Sequence, residues 1–414
     1  MPKSRAELMS RCTRYDQIEA MIRQEFFKTK LFEKELSRAG FEDLIDSPFL
    51  QRLKGVSFLA TMDHIYDVAR PFSRYDHSLG AAFLALKLSN QLGLEKGQTE
   101  VLVIANLLHD IGHAPFSHAA ETFLLEKIRK YHEGLISSYL RFNTRLLPES
   151  FSLYEILSNR SKKVEKNVTS LLLNKPTGDS IIDSIHYCSI NCDKIDGTNR
   201  ALFSLGLGCP APISFLKFFS INGKTVLVNK NKVDDIVLFW RNKIELYNKY
   251  IYNNDVLSAE AMLTRSLNLS FDSKNLVDIF IGSTDEVAYN LMNRNEISGK
   301  IIELFSTKKL FLPLSSVDIG YFSIVERKLR RFRFDWVNRK KIETEIANHL
   351  GIDPQFIISH FSFKKQFKTN LDYLNQLNLF ENNYDTMPLI KINKTFYSVR
   401  LSGDVLDVFF PPNT

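Results

Sequence analysis

Asn106-Leu-Leu-His109-Asp110-Ile-Gly-His113-Ala-Pro-Phe-Ser-His118 is the stretch on which the reading of this chain turns. The residues leading into it, Gln98–Leu108, carry Val101, Ile104, Ala105 and Leu108 at the spacing of one helical face. The pattern predicts a helix that delivers His109 and Asp110 side by side at its C-terminal end. Gly112 and Pro115 then stop that helix and turn the chain. Packing alone favours Leu or Ala at such positions, because a buried charge has to be paired or metal-bound. An imidazole beside a carboxylate is a borderline-hard ligand pair, suited to Mn, Fe, Co, Ni or Zn rather than to a thiolate metal.

Working outward, five of the nine histidines (His77, His109, His113, His118 and His132) fall between residues 77 and 132. That crowding supplies imidazoles for metal binding and proton transfer in one neighbourhood. A third donor, His77, comes from Arg74-Tyr-Asp-His77-Ser-Leu-Gly80 at the start of the preceding helix. The fourth comes from Cys192-Asp193-Lys-Ile-Asp196-Gly-Thr-Asn-Arg200, where Asp193, Asp196 and Arg200 share one helical face. Asp196 and Arg200 read equally well as an intrahelical ion pair.

Composition bounds the rest. A chain of 414 residues buries one large core or two unequal ones, and 44% apolar with 24% charged residues is ordinary for a globular protein. No apolar run is long enough to cross a bilayer, and the N-terminus lacks the apolar stretch of a signal peptide, so a cytoplasmic protein without membrane contact is expected. Four scattered cysteines argue against a disulfide framework; Cys188 and Cys192 lack the second pair of a zinc site and read as buried thiols. The net charge of +7 leans toward polyanionic partners.

The periodicity predicts a mainly α fold in three parts: a helical lead-in over 1–45, a helical catalytic domain over 46–275, and a smaller mixed α/β region over 276–414. Helices are expected at 78–92, 98–108, 151–157, 179–195, 233–252, 258–269 and 339–350. Asn222-Gly223, between β-prone runs, predicts a hairpin at 219–230, and one or two strands are expected near 389–402.

With these strings in hand, the chain resembles the HD-domain superfamily, in its deoxynucleoside-triphosphate triphosphohydrolase branch. RYDHSLG, LLHDIGHAPFSH, YHEG, CDKID and the upstream FLQRLKGVSFL carry the likeness, which covers about residues 45–270. The resemblance implies an HD helical bundle and one divalent ion (Mn2+, Fe2+, Mg2+ or another transition metal) on His77, His109, Asp110 and Asp193. It implies Arg74, His113, His118, Glu121 and His132 as the catalytic group, with His118 the proton donor. Leu59, Arg74, Lys194, Lys243 and Tyr250 are implied as contacts to a dNTP substrate, the last two from the stretch Trp240–Asn253, whose register stays open between Arg241 and Lys243 and between Tyr250 and Tyr252.

Three positions depart from the branch. Gly197 stands where a tyrosine is usual, Ala201 where an acid is usual, and Phe58 where a glutamine is common. The resemblance further implies a homo-oligomer and a regulatory nucleotide. The run Arg327–Lys341 mixes cations with aromatics, as single-stranded nucleic acid or a nucleotide would require, though a solvated basic face is the commoner meaning. Two other readings use the same residues: an HD phosphohydrolase acting on another nucleotide or a nucleic-acid end, and a binding regulator whose HD site is structural.

Overall fold

Phe32 and Leu36, one turn apart on helix α1 (Thr29–Arg38), are fully buried and seat this helix on the bundle behind it. The structure is a computed structural model and describes residues 27–69, 71–140, 153–188, 190–229, 232–271, 279–318, 336–369, 386–388 and 397–410. The first 26 residues of the lead-in, and residues 327–335 of the basic run, lie outside the described residues.

The centre of the bundle is a helical hairpin of α2 (Arg74–Leu92) and α3 (Lys96–Leu108). Ser73 and Asp76 start α2 with a reciprocal cap: the Ser73 hydroxyl accepts from the Asp76 amide at 3.2 Å, and the Asp76 carboxylate accepts from the Ser73 amide at 2.8 Å. Gly93, at φ 64°, ends the helix in the left-handed conformation that a residue without Cβ adopts freely. Buried residues occur on every side of α2, as expected of a helix at the middle of a core.

Around this pair lie α4 (Glu121–Ile128), α5 (His132–Tyr139), α6 (Lys162–Leu172) and α7 (Cys192–Ser204). The expected 179–195 helix is two helices. Ser180–His186 ends, and Asn191 begins α7 by accepting from the Lys194 amide at 3.0 Å while its own amide group donates to His186 O at 2.7 Å. That cap is what turns the chain between them.

The hairpin forms where Asn-Gly predicted it, with β1 (Phe219–Asn222) antiparallel to β2 (Thr225–Asn229). Helix α8 (Val233–Glu245) runs into a π-helical turn, Leu246–Ile251, so the expected 233–252 helix is not a single α-helix. α9 (Asn254–Ser270), α10 (Asp285–Met292) and α11 (Glu296–Ser306) follow. Strand β3 (Leu312–Asp318), helix α12 (Trp336–Leu350) and strands β4 (Ile358–Thr369), β5 (Thr386–Pro388) and β6 (Tyr397–Phe410) complete the described chain. β5 joins β2, and the order β3-β6-β4 makes an antiparallel sheet. The protein is mainly α.

Three apolar clusters hold these parts. The largest surrounds α2 and α3. The second packs Phe116 and Phe123 against Phe271, Phe280 and Met292, and the third packs Met262 against Ile301, Phe305, Phe311 and Ile358. The second and third clusters each join residues from both sides of position 275. Arg339, in the run expected to be a solvated basic face, is instead buried and paired with Glu126. Among the described residues no helix is long and apolar enough to cross a membrane.

Candidate metal centre and acid–base cluster

His77 lies in the first turn of α2, His109 and Asp110 directly after α3, and Asp193 in the first turn of α7. Their donor atoms converge. His77 Nε2 is 3.2 Å from His109 Nε2, 3.2 Å from Asp193 Oδ1 and 3.7 Å from Asp110 Oδ2. His109 Nε2 is 3.3 Å from Asp110 Oδ1 and 3.5 Å from Asp193 Oδ1.

The other nitrogen of each imidazole is already held. His109 Nδ1 donates to Asn106 O at 2.7 Å, and His77 Nδ1 donates to Asp196 Oδ2 at 2.8 Å. Both rings thereby turn Nε2 toward each other. Two lone pairs at that separation repel unless a proton or a cation lies between them. Burial alone would depress both imidazoles, but the neighbouring carboxylates win. Asp193 and Asp196 raise His77 above its ordinary value, and Asp110 and Asp193 carry His109 up to about 9.

The donor set fits a divalent ion. Atoms about 2.1 Å from one shared ion lie about 3.0–3.5 Å from each other, close to the spacing here. Two imidazoles and two carboxylates suit a borderline-hard metal. The Asp193 side chain is 40% exposed while those of His77 and Asp110 are buried, so the group opens on one side only.

Support behind the donors is continuous. Arg200, fully buried on α7, grips Asp196 with Nε at 2.8 Å and Nη2 at 2.9 Å. The Asp196–Arg200 pair is thus intrahelical and also holds His77. Gly80 makes room for it, since a Cβ there would stand 2.0 Å from Asp196 Oδ1. Arg74 is buried beneath the group: Nη1 donates to Asp110 at 2.9 Å, Nε to the Ser117 hydroxyl at 2.9 Å and Nη2 to Phe58 O at 3.3 Å. Each of its three nitrogens has a protein partner, which makes Arg74 a brace for Asp110 in this geometry.

A second group adjoins the first. Glu121 Oε1 accepts from His132 Nδ1 through a short contact and lies 3.2 Å from His118 Nδ1. His113 stacks on His132, with ring centroids 3.8 Å apart, and its Nε2 lies 3.4 Å from Asp110 Oδ1. It therefore stands between the two groups. Burial, aided by the Arg74 charge, keeps the His113 imidazole well below its ordinary value and so neutral. Burial favours a protonated Glu121, yet His118 and His132 outweigh it and hold the carboxyl well below its usual range. The His118 side chain is 56% exposed, so it reaches solvent while Glu121 holds one ring nitrogen. Gly112 permits this arrangement, because a Cβ there would lie 2.1 Å from His132 O.

The expected substrate residues are more dispersed. Phe58 sets its ring 4.9 Å from that of His77, and a Cβ at Gly197 would meet both, at 3.8 Å from Phe58 Cζ and 3.3 Å from His77 Cε1. Leu59, next to it, is partly buried on the main core. Lys194 Nζ donates to Cys188 O at 3.0 Å. Lys243 lies with Nζ 5.6 Å from the Trp240 ring. Tyr250 sits in the π-helical turn, where Tyr66 donates to its carbonyl at 3.0 Å. Among the described residues, Cys188, Cys192 and Cys209 are buried thiols, and Cys209 Sγ donates to Asn199 O at 3.5 Å. Pattern reading missed Asp285 and gave no role to Arg52 within the FLQRLKGVSFL string, although both bind the backbone of the site's loops. No local sequence signal marks Asp285, because its partners are distant in the chain.

An HD-domain family model matches residues 74–163, the stretch that supplies His77, His109 and Asp110. Residues 74–163 thus resemble an HD domain, and the curated relatives that the chain is similar to include deoxynucleoside triphosphate triphosphohydrolases. It is 26% identical over 259 residues to an uncharacterized protein of Methanocaldococcus jannaschii, covering 62% of this chain and 51% of that protein. It is 26% identical over 221 residues to the deoxynucleoside triphosphate triphosphohydrolase SAMHD1 homolog of Dictyostelium discoideum, covering 50% of this chain and 39% of that one. The chain thus matches about half or less of these two relatives' lengths. Its fold is similar to that of a phosphohydrolase crystal structure from Bacteroides thetaiotaomicron, with TM-score 0.61, 14% identity and coverage of 90% of this chain and 95% of that one.

Proposed function

We propose that the protein hydrolyses deoxynucleoside triphosphates to deoxynucleoside and triphosphate at a single divalent metal held by His77, His109, Asp110 and Asp193. The observation that carries this reading is the convergence of His77, His109 and Asp193, with Asp110 3.7 Å from His77 and 3.3 Å from His109, beside the His113–His118–Glu121–His132 group. The similarity to the Dictyostelium triphosphohydrolase supplies the substrate class.

When bound, the ion polarises a phosphoryl oxygen and orients the attacking water at the α-phosphorus. His118 is the proton donor to the departing 5′ oxygen. Glu121 fixes its Nδ1, and His132 shares that carboxylate, so His118 Nε2 is left to face the leaving group. Arg74 keeps Asp110 ionised and aimed rather than meeting the phosphates itself. Lys194, and Lys243 from α8, offset charge on the triphosphate, while Leu59 and Tyr250 line the nucleoside side. A homo-oligomer, a cytoplasmic setting and a regulatory nucleotide belong to the same proposal, with sizing in the presence and absence of mixed dNTPs as their check.

A second reading changes only the nucleotide. It is favoured by Phe58, whose ring occupies the flank of His77 and offers no hydrogen bond to a sugar hydroxyl. Both readings are tested by incubating the protein with each dNTP and NTP plus Mn2+ or Mg2+ and resolving the products by chromatography. Deoxynucleoside and intact triphosphate, lost in His109→Ala and Asp193→Ala, support the first. Turnover of ribonucleotides alone supports the second.

A further inference from the structure

His118 is presented by a turn whose backbone needs outside support. Phe116 and Ser117 both lie in the left-handed region, at φ 63° and 51°, although each carries a Cβ. The facing wall is strained too: Ala60, two residues after Phe58, sits at φ 52° and ψ −119°, a region that glycine favours. Conformations of this kind persist only where surrounding contacts over-determine them.

One carboxylate holds both walls. Asp285 Oδ1 accepts from the Phe116 amide at 2.7 Å, and Asp285 Oδ2 accepts from the Ser57 amide at 3.0 Å. The Ser117 hydroxyl donates to Ser57 O across the same gap. Residues flanking Asp285 are keyed in as well. Arg52 Nη1 donates to Ser283 O at 3.1 Å, while its Nη2 donates to Ile111 O at 2.9 Å and His113 O at 2.7 Å. Thr284 lies so close to Gly55 that a Cβ there would stand 2.5 Å from its Cγ2. Ser283–Asp285 therefore touches two separate stretches, 52–57 and the turn at Phe116, yet it lies more than a hundred residues beyond the HD match.

We propose that Asp285 is a positioning residue: it clamps the Phe116–Ser117 turn to the Ser57–Ala60 wall, and so fixes His118 relative to Phe58 and His77. The Ser283–Asp285 segment is then a latch through which the C-terminal part of the chain governs the acid–base group. The catalytic half of this claim rests on the reading of His118 as proton donor; the clamp itself does not.

The experiment uses the full chain with its metal and compares wild type, Asp285→Asn, His118→Ala and the double variant that combines them. Hydrogen exchange needs no substrate. Peptides spanning 55–60 and 114–119 are expected to exchange about tenfold faster in Asp285→Asn, with circular dichroism and metal content unchanged. On the proposed substrate, kcat should fall about 100-fold with KM within about threefold. Asp285→Asn should add less than about threefold to the loss already caused by His118→Ala, because a misplaced donor costs nothing once the donor is gone. Should Asp285→Asn not fold, Gly55→Ala displaces Thr284 and is expected to give the same exchange pattern. Unchanged exchange at both peptides overturns the clamp. Losses that multiply in the double variant overturn the positioning role. A wild-type protein inert toward every nucleotide overturns the hydrolase reading alone, and exchange still decides the clamp.

Discussion

Asp196 shows how much of a candidate metal site lies behind its donors. It touches no substrate, yet it accepts from His77 Nδ1 and is itself held by Arg200, so it sets both the tautomer and the aim of His77. Loss of such a partner typically costs about 10–100-fold in metal affinity. We expect that range for Asp196→Asn, read as the metal dissociation constant by competition with a chelator; unchanged affinity would remove Asp196 from the site. Glu260 makes a prediction of the opposite sign. Burial, reinforced by the Glu121 charge, pushes its carboxyl up to about 8 from an ordinary 4.5. The folded state therefore binds more protons than the unfolded one between those values. The stability this gives is full below about pH 4.5 and is lost as pH rises toward 8. Glu260→Gln should raise the melting temperature at pH 8 relative to wild type and leave the difference small at pH 5. An equal gain at both pH values would assign the effect to packing instead of ionisation.

At the scale of elements, glycine placement decides how closely the helices bring their side chains together. Gly112 lets the loop after α3 pass under the start of α5, and Gly80 lets α7 press Asp196 against α2. Gly112→Ala drives a Cβ into His132 O, an overpacking that costs about 1–3 kcal/mol. A thermal melt should show that loss together with a fall in activity, since His132 moves with its backbone. The elements themselves were largely legible. Apolar spacing placed α2 and α3, Asn222-Gly223 placed the hairpin, and the ordered HD strings placed the four converging donors. The break between His186 and α7 was not legible, because the Asn191 cap looks like any polar residue until its partners are known. Nor was the π-helical turn at Leu246–Ile251, since its side-chain pattern is that of an ordinary helix.

The whole molecule joins regions that the sequence separates. Glu126, on the same helix as Glu121, pairs with Arg339 of α12, and Arg265 of α9 pairs with Glu343 of α12 at 2.7 Å. Arg339 looked like one cation in a basic run; only the fold reveals that it is buried against an acid from the catalytic bundle. Pattern reading sees which residues repeat at helical spacing, whereas a buried ion pair between positions 126 and 339 leaves no local trace. These ties and the Asp285 hydrogen bonds connect the histidine-rich group to chain far beyond residues 74–163, the stretch that the HD model matches. In the proposed function, water attacks the α-phosphorus at the His77–His109–Asp110–Asp193 group. Turnover of a dNTP in 18O-labelled water, with products analysed by mass spectrometry, tests it most directly. One 18O atom in an intact triphosphate and none in the deoxynucleoside is the expected result. Label in the deoxynucleoside, or label carried by orthophosphate or pyrophosphate, would contradict it.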